Sequence, residues 1–223
     1  MTVSPSGFYW NNGDCFLDIF ARKSSQVHLT PPKCRDYTLF FVHEKLFAFG
    51  GGTCVQSVKV NGGDTEWKPE APMLHLLRRP YVANYLDKLY VFGERWSGEG
   101  SSQVTMEYDP VWNEWKMCSE MPGVCVGGAV VALNHRIYLV GGLPPVCFAY
   151  TPAADAWTVL SPPQNAYGVC SATAWNGKIL LVGPQKGEEY DPERDCWNPN
   201  DSLVPGDRFL HYNTNLCLST FFF

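Results

Sequence analysis

Short apolar runs recur along this chain and are separated by glycines, prolines and polar residues. Runs such as "AVVAL" at 129–133 and "IYLVGG" at 137–142 are rich in β-branched and aromatic residues. Their length and composition are typical of strands buried between two sheets rather than of helices. Glycine after these runs permits positive φ angles, and proline after aspartate fixes a turn. The pattern therefore predicts an all-β domain with almost no helix.

The apolar runs repeat at a regular interval. Each of five runs begins with a pair of large apolar residues, and a Gly-Gly pair or a partial version of it follows most of them. A period near 40 residues predicts a repeat architecture in which each repeat is one small sheet. The five pairs begin at Leu46, Leu89, Ile137, Ile179 and Leu216.

A tryptophan marks the end of most repeats. Tyr108, Tyr150 and Tyr190 each precede a tryptophan by seven residues, and Phe20 to Val27 keeps this spacing without the indole. A large indole can fill the wedge between radially diverging sheets, where burial of an aromatic stabilises by about 1.5 to 3 kcal/mol. The eight tryptophans therefore need no active site to explain them. The four tryptophans that recur with the period of the repeat are Trp67, Trp115, Trp157 and Trp197.

The combination of a glycine pair, a Tyr-x-Pro turn and a tryptophan resembles the kelch repeat of β-propellers. The resemblance covers nearly the whole chain. The departures are Glu94 and Pro184 in place of a second glycine, Val27 in place of a tryptophan, and a last repeat without a glycine pair. The resemblance implies one kelch β-propeller domain over residues 1–223, with five blades of four antiparallel strands. Because kelch rings more often have six blades, six blades with one degenerate is the alternative.

The two ends of the chain carry complementary parts of one repeat. Residues 207–223 have the pattern of the first two strands, a and b, and residues 14–31 have that of the last two, c and d. Their pairing would close the ring and remove open sheet edges. Phe8-Tyr9-Trp10 is either an extra strand or a packed tail. The predicted blades cover about 34–73, 74–121, 122–163 and 164–203, and the closing blade combines 204–223 with 8–33.

Charge and cysteine usage exclude several classes of function. The net charge is −5 and no run of lysine and arginine exceeds a pair, so nucleic-acid binding is disfavoured. Nine cysteines without a Cys-x-x-Cys motif or a signal segment favour free thiols over a secreted disulfide framework. No apolar run approaches the roughly 20 residues of a membrane span. We therefore expect a cytoplasmic protein, with the nucleus as a second compartment.

Signals for catalysis are weak. The five histidines are never spaced as metal ligands, and no nucleophile elbow or phosphate-binding loop is present. Asp109 and Asp191 belong to the turn of the repeat, which favours a structural role over a glycosidase carboxylate pair. We expect no cofactor and no metal. A propeller enzyme, either a glycosidase or a metal oxidase, is the less favoured alternative.

The resemblance also implies where a partner would bind. In kelch propellers, partner peptides dock on the face formed by the b–c loops and the d–a loops. The loop at 94–103 is about six residues longer than its counterparts and is predicted to project from the ring. Arginines there would bind carboxylates of an acidic motif, unless they are solvated or paired with neighbouring blades, and Trp96 is either a contact or folded onto its own blade. The predicted partner-binding residues are Arg35, Arg78, Arg79, Arg95, Trp96, Tyr167 and Arg208.

The chain looks most like the C-terminal kelch domain of BTB-Kelch proteins. That resemblance implies a non-catalytic module that recognises substrates for a cullin-type E3 ubiquitin ligase. Contact with the cullin would run through domains absent from this chain. A cytoskeletal or signalling scaffold is the alternative from another class.

Overall fold

The computed structural model describes residues 8–11, 14–17, 27–29, 33, 37–42, 45–50, 52–59, 66–77, 80–97 and 100–203. Antiparallel strands dominate these ranges. The only helical elements in them are two 3-10 turns, Pro152–Ala154 and Asp201–Leu203. The prediction of an all-β domain with almost no helix is confirmed. Within the same ranges, no helix has the length and apolarity that a bilayer crossing requires.

The strands form five sheets, and each follows the order of the chain. Sheet A contains β1 (Phe8–Asn11), β2 (Asp14–Leu17) and β3 (Val27–Leu29). Sheet B contains β4 (Tyr37–Val42), β5 (Lys45–Gly50), β6 (Cys54–Lys59) and β7 (Lys68–Pro69). Sheet C contains β8 (Tyr81–Tyr85), β9 (Lys88–Ser97), β10 (Gly100–Asp109) and β11 (Glu114–Cys118). Sheet D contains β12 (Gly128–Leu133), β13 (Arg136–Gly141), β14 (Val146–Thr151) and β15 (Ala156–Val159), and sheet E contains β16 (Ser171–Trp175), β17 (Lys178–Val182), β18 (Gly187–Asp191) and β19 (Cys196–Pro199).

The first strands of successive sheets lie side by side. β4 contacts β8, β8 contacts β12, and β12 contacts β16. The inner strands are largely buried, whereas the fourth strand of a sheet, such as β11 or β15, is mostly half-buried or exposed. The four-stranded sheets therefore radiate from their first strands, as the blades of a β-propeller do. The predicted limits of the blades, their number and the closure of the ring remain predictions.

Sheet A clarifies the start of the chain. Phe8, Tyr9 and Trp10 belong to β1 and lie opposite residues of β2, so this segment is a strand and not a tail. β2 and β3 fall inside the segment predicted to supply strands c and d. The predicted partner segment, 207–223, lies outside the described residues.

Three tryptophans at the ends of repeats, Trp115, Trp157 and Trp197, fasten their blades to the preceding ones. Trp115 stacks edge-on against Phe49 of sheet B, and its Nε1 donates to the Ala71 carbonyl at 2.8 Å. Asn113 accepts from the Ala71 N–H at 2.7 Å, so both backbone polar groups of Ala71 are bound by this blade. This confirms the predicted wedge role of the indoles and adds hydrogen bonds to it. The same clasp joins Ser119 to Asp155 and Trp157, and Ser161 to Asp195 and Trp197.

The long insertion at 94–103 differs from the prediction of a projecting loop. β9 and β10 continue their pairing through it, with Glu94 opposite Gln103 and Arg95 opposite Ser102. The insertion is therefore an extended two-stranded ribbon. Ladder pairing satisfies backbone N–H and C=O groups that an irregular loop would leave to solvent.

The cysteines correct one expectation. Cys54 is disulfide-bonded, so the prediction of free thiols is wrong at this position. The other cysteines with described side chains are free, and burial raises the pKa of Cys125 to about 11 and that of Cys147 to about 12. Thiols with such pKa values are poor nucleophiles at neutral pH. The free cysteines are Cys118, Cys125, Cys147, Cys170 and Cys196.

Candidate partner-binding face

The d–a linkers and the b–c turns contact one another on one face, which we call the loop face. Its described parts are the linkers 70–77, 119–127 and 160–170 and the turns 141–145 and 183–186. The Leu77 backbone pairs with Gly52 of the preceding blade and with Arg95 of its own blade. The linker 70–77 thus lies between two neighbouring b–c turns, which joins the loops of two successive blades.

The same arrangement recurs in the two following linkers. Leu143 donates its N–H to the Val126 carbonyl at 2.9 Å, and Tyr167 donates its N–H to the Gly142 carbonyl at 3.1 Å. Backbone hydrogen bonds of this kind fix the relative position of linker and turn independently of side-chain identity.

Glycines after the second strands let linker side chains approach closely. A Cβ added to Gly183 would lie 2.6 Å from Tyr167 Cδ1, and one added to Gly142 would lie 2.7 Å from Cys125 Sγ. At Gly93 the corresponding distance to Leu77 Cδ1 is 3.4 Å. The sequence pattern predicts these glycines in turns. Room for the following linker is a second reason for them.

Tyr167, one of the predicted partner contacts, is buried. Its side chain is 3% exposed, and its hydroxyl donates to Glu188 Oε1 at 2.8 Å. It lies ten residues after a tryptophan, as do the buried Leu77 and Cys125. A partner-binding role for Tyr167 remains a prediction, but its side chain is buried and not on the surface of the loop face.

Glu188 holds a linker of the loop face and is a residue that sequence reasoning missed. It is fully buried in β18, and its carboxylate accepts from the N–H groups of Gln164 at 2.8 Å and Asn165 at 3.0 Å. The Asn165 side chain and the Tyr167 hydroxyl donate to it as well. A buried carboxylate is tolerated only with several such donors. The signal was available, because the equivalent positions two residues before the repeat tyrosine are Met106 and Phe148 in sheets C and D.

The predicted basic rim is represented by Arg95 among the described side chains. Arg95 is half-buried on the ribbon of sheet C. Burial, and then the charge of Arg95, lower the pKa of His75 in the adjacent linker. The Trp96 backbone pairs with Ser101 within the ribbon. Arg35, Arg78, Arg79 and Arg208 lie outside the described residues.

An apolar patch lies beside these elements. Val126, Leu143 and Val169 are 58%, 50% and 41% exposed, and Val124 is also exposed. Gly168 brings its linker against Leu143, since an added Cβ would lie 3.4 Å from Leu143 Cδ1. Exposed apolar side chains that cluster on one face mark a contact surface. The apolar patch consists of Val124, Val126, Leu143 and Val169.

Metal-binding clusters are not formed in the part of the chain that the structure describes. No group of three or more histidine, cysteine or acidic side chains there is placed to hold a metal ion. Asp109 accepts from the N–H groups of Val111 and Trp112, and Asp191 does the same in its own turn. These two carboxylates have the structural role predicted for them.

The four-stranded sheets and the repeated clasp resemble those of kelch β-propellers. No protein-family model matches the chain. Among curated proteins, it is 27% identical over 143 residues to Kelch-like protein 23 from Homo sapiens, covering 59% of this chain and 26% of that protein. It is 30% identical over 107 residues to Kelch-like protein 24 from Mus musculus, covering 47% of this chain and 18% of that protein. It is also 27% identical over 118 residues to Kelch repeat and BTB domain-containing protein 2 from Homo sapiens, covering 52% of this chain and 19% of that protein.

These relatives confirm the resemblance to kelch-repeat proteins, including one that carries a BTB domain by name. The chain spans about a quarter or less of the length of the relatives cited.

Proposed function

We propose that this domain is a non-catalytic protein-interaction module that recognises a protein or peptide through its loop face. The observation that carries the proposal is the apolar patch, which is exposed on linkers and turns that are themselves held by backbone hydrogen bonds. Rigid loops on a β-scaffold are a common means of recognition. Similarity to Kelch-like proteins supports this class of function.

Preorganisation of the face supports the same proposal. Glu188 binds both the backbone and the side chains of the linker 160–170, so this linker has little freedom to lose when a partner binds. Lower ordering costs on binding leave more of the contact energy as affinity.

We further propose that the partner is a substrate of a cullin-type E3 ubiquitin ligase. The similarity to a kelch protein that contains a BTB domain supports this role. Contact with the ligase would then be made by domains absent from this chain. The partner segment would include an acidic motif that meets Arg35, Arg78, Arg79, Arg95 and Arg208, with Trp96 beside them, in the cytoplasm or the nucleus.

A capture experiment tests the proposal. The 223-residue chain, a Leu143→Asp, Arg95→Ala variant and a Leu86→Asp control are used to capture proteins from a cell lysate. Leu86 is equally suitable for substitution because it is 76% exposed in an a–b turn, away from the loop face. We expect the loop-face variant to lose a set of proteins that the control retains, with all three chains melting at similar temperatures.

The ligase part has its own readout. Depletion of the protein from cells should raise the abundance and lengthen the half-life of the captured proteins. Captured proteins whose turnover does not change would contradict the adaptor role, and capture of filaments or kinases alone would favour a scaffold. Equal loss in both variants would contradict recognition by the loop face.

A further inference from the structure

We infer that the apolar patch accepts an aliphatic or aromatic side chain from an extended segment of a partner protein, and that Lys186 binds a carboxylate next to this anchor. The inference rests on the proposed function and deepens it by naming the chemistry of the partner.

The patch is assembled from three separate loop segments. The side chains of Val126 and Leu143 start from neighbouring points of the backbone, because the Leu143 N–H donates to the Val126 carbonyl at 2.9 Å. Gly168 packs against Leu143, and Val169 follows it on the third segment. The three side chains are between 41% and 58% exposed. Together they present a cluster to solvent that a single apolar side chain from a partner can cover.

The segments that carry the patch are themselves uncharged. The segments 121–127, 141–145 and 161–170 contain no acidic or basic residue. An anionic polymer would need several cations here, so nucleic acid is a poor match. An apolar anchor suits this surface better, since it loses no charge hydration when it binds.

Lys186 adds one charge at the edge of this neutral area. It is exposed on the turn 183–186, and its Nζ donates to Asn165 Oδ1 at 2.5 Å. Asn165 is a neutral acceptor on the same linker as Val169, and Lys186 forms an ion pair with no residue that the structure describes. The Asn165 amide also donates to the buried Glu188 carboxylate, but the exposed ammonium group of Lys186 has no direct carboxylate partner among the described residues, which favours a carboxylate in the partner by charge complementarity.

The anchor site is held in place from beneath. Glu188 fixes Asn165, and Tyr167 packs onto Gly183 at the start of the turn that carries Lys186. The lysine and the third segment of the patch thus share one rigid support. A fixed distance between an apolar contact and a cation requires a fixed spacing between the anchor and the acid in the partner.

A random-peptide selection tests this inference. A phage-displayed library of 12-residue peptides is selected on the 223-residue chain, with no counter-selection on any variant. We expect the enriched peptides to share one apolar residue at a constant spacing from Asp or Glu. The most enriched sequence is then synthesised with a fluorescent label, and its Kd is measured by polarisation for each variant.

The variants separate the two contacts. Leu143→Asp should weaken binding by more than about tenfold, since it places a charge where the apolar anchor is desolvated. Lys186→Glu should weaken binding by about three- to tenfold, and a peptide with Lys in place of its acid should recover most of that loss. Lys186→Gln separates loss of charge from charge reversal. The Leu86→Asp control should change Kd less than about twofold, which is the noise level for a distant surface change.

Several results would overturn the inference. They are enriched peptides without an apolar residue or without an acid, binding that Leu143→Asp leaves unchanged, and no recovery by the charge-swapped peptide. Self-association of the chain that Leu143→Asp abolishes would mean that a second copy covers the patch. If peptides bind but respond only to Arg95→Ala, the inference fails and the proposed function survives. If capture from the lysate is also unaffected by the substitutions in the loop face, both the inference and the proposed function fail.

Discussion

Two neighbouring linkers of this domain occupy the same place in the repeat but are held by different chemistry. The linker 119–127, which leads into sheet D, buries Cys125 against Gly142, and the Tyr81 hydroxyl of the preceding blade donates to the Cys125 carbonyl at 3.0 Å. The linker 160–170, which leads into sheet E, buries Tyr167, whose hydroxyl reaches the fully buried Glu188. The repeat thus fixes the position of a linker without fixing the interaction that secures it.

The two solutions fail in different ways. Loss of one apolar contact leaves a cavity, whereas loss of a buried acceptor leaves several donors without partners. The linker into sheet E should therefore be the more sensitive of the two to substitution at its centre.

Replacement of the buried carboxylate should have the largest effect. Glu188→Leu leaves the N–H groups of Gln164 and Asn165 and the Tyr167 hydroxyl without an acceptor. We expect a loss of about 3 kcal/mol in the free energy of unfolding, measured by urea denaturation. Hydrogen exchange of residues 164–167 should accelerate more than that of 123–126.

Met106→Leu is the matched control, because Met106 occupies the same position in sheet C. It should cost less than about 1.5 kcal/mol, as volume-conserving apolar changes usually do. A loss below about 1 kcal/mol for Glu188→Leu would mean that both linkers are held mainly by packing.

Added volume at the second-strand glycine should have an intermediate effect. In Gly183→Ala the new Cβ would lie 2.6 Å from the Tyr167 ring, whose hydroxyl is held by Glu188 and whose ring cannot move away freely. We expect a loss of about 2 kcal/mol, measured by thermal unfolding. Gly93→Ala is the matched change at Leu77, where 3.4 Å leaves room for a small adjustment and the loss should be under about 1 kcal/mol. Equal losses at the two glycines would show that the tyrosine is not fixed.

Much of the fold could be predicted because its signals are local. The apolar runs, the turn residues and the Tyr-to-Trp spacing indicate strands and a repeat without knowledge of distant contacts, and the four-stranded sheets follow them. The ribbon at 94–103 was less accessible, since pairing between Arg95 and Ser102 depends on the register of two strands. Sequence patterns alone do not distinguish such a ribbon from a loop.

The candidate site was harder to predict, because its chemistry depends on contacts between repeats. Tyr167 was predicted as a surface contact. However, Leu77 and Cys125 occupy the equivalent position, ten residues after a tryptophan, and both side chains are buried. Alignment of the linkers by their tryptophans would have indicated burial. Glu188 was overlooked because a single acid beside Glu189 in a strand resembles a solvated position unless it is aligned with Met106 and Phe148 of the other repeats.

The smallest effect concerns a feature that the two linkers share. Both begin with a serine held by an aspartate of the next blade, Asp155 for Ser119 and Asp195 for Ser161. Burial alone would raise the pKa of each aspartate, but hydrogen bonds from the serines and tyrosines outweigh it and lower the pKa below the usual range. A lowered pKa contributes stability above the unfolded pKa of about 3.9, and this stability is lost as the pH falls through the folded pKa.

Asp155→Asn and Asp195→Asn should therefore each cost under about 1 kcal/mol at pH 7, because Asn113 serves in the same clasp in sheet C. Melting temperatures measured from pH 6 to pH 2.5 should decline less below pH 4 in the double variant than in the unmodified chain. The two single variants should behave alike, since the clasps are equivalent even though the linkers that follow are not. A stronger acid response in Asp195→Asn than in Asp155→Asn would mean that the chemistry around Glu188 reaches back to the start of its linker.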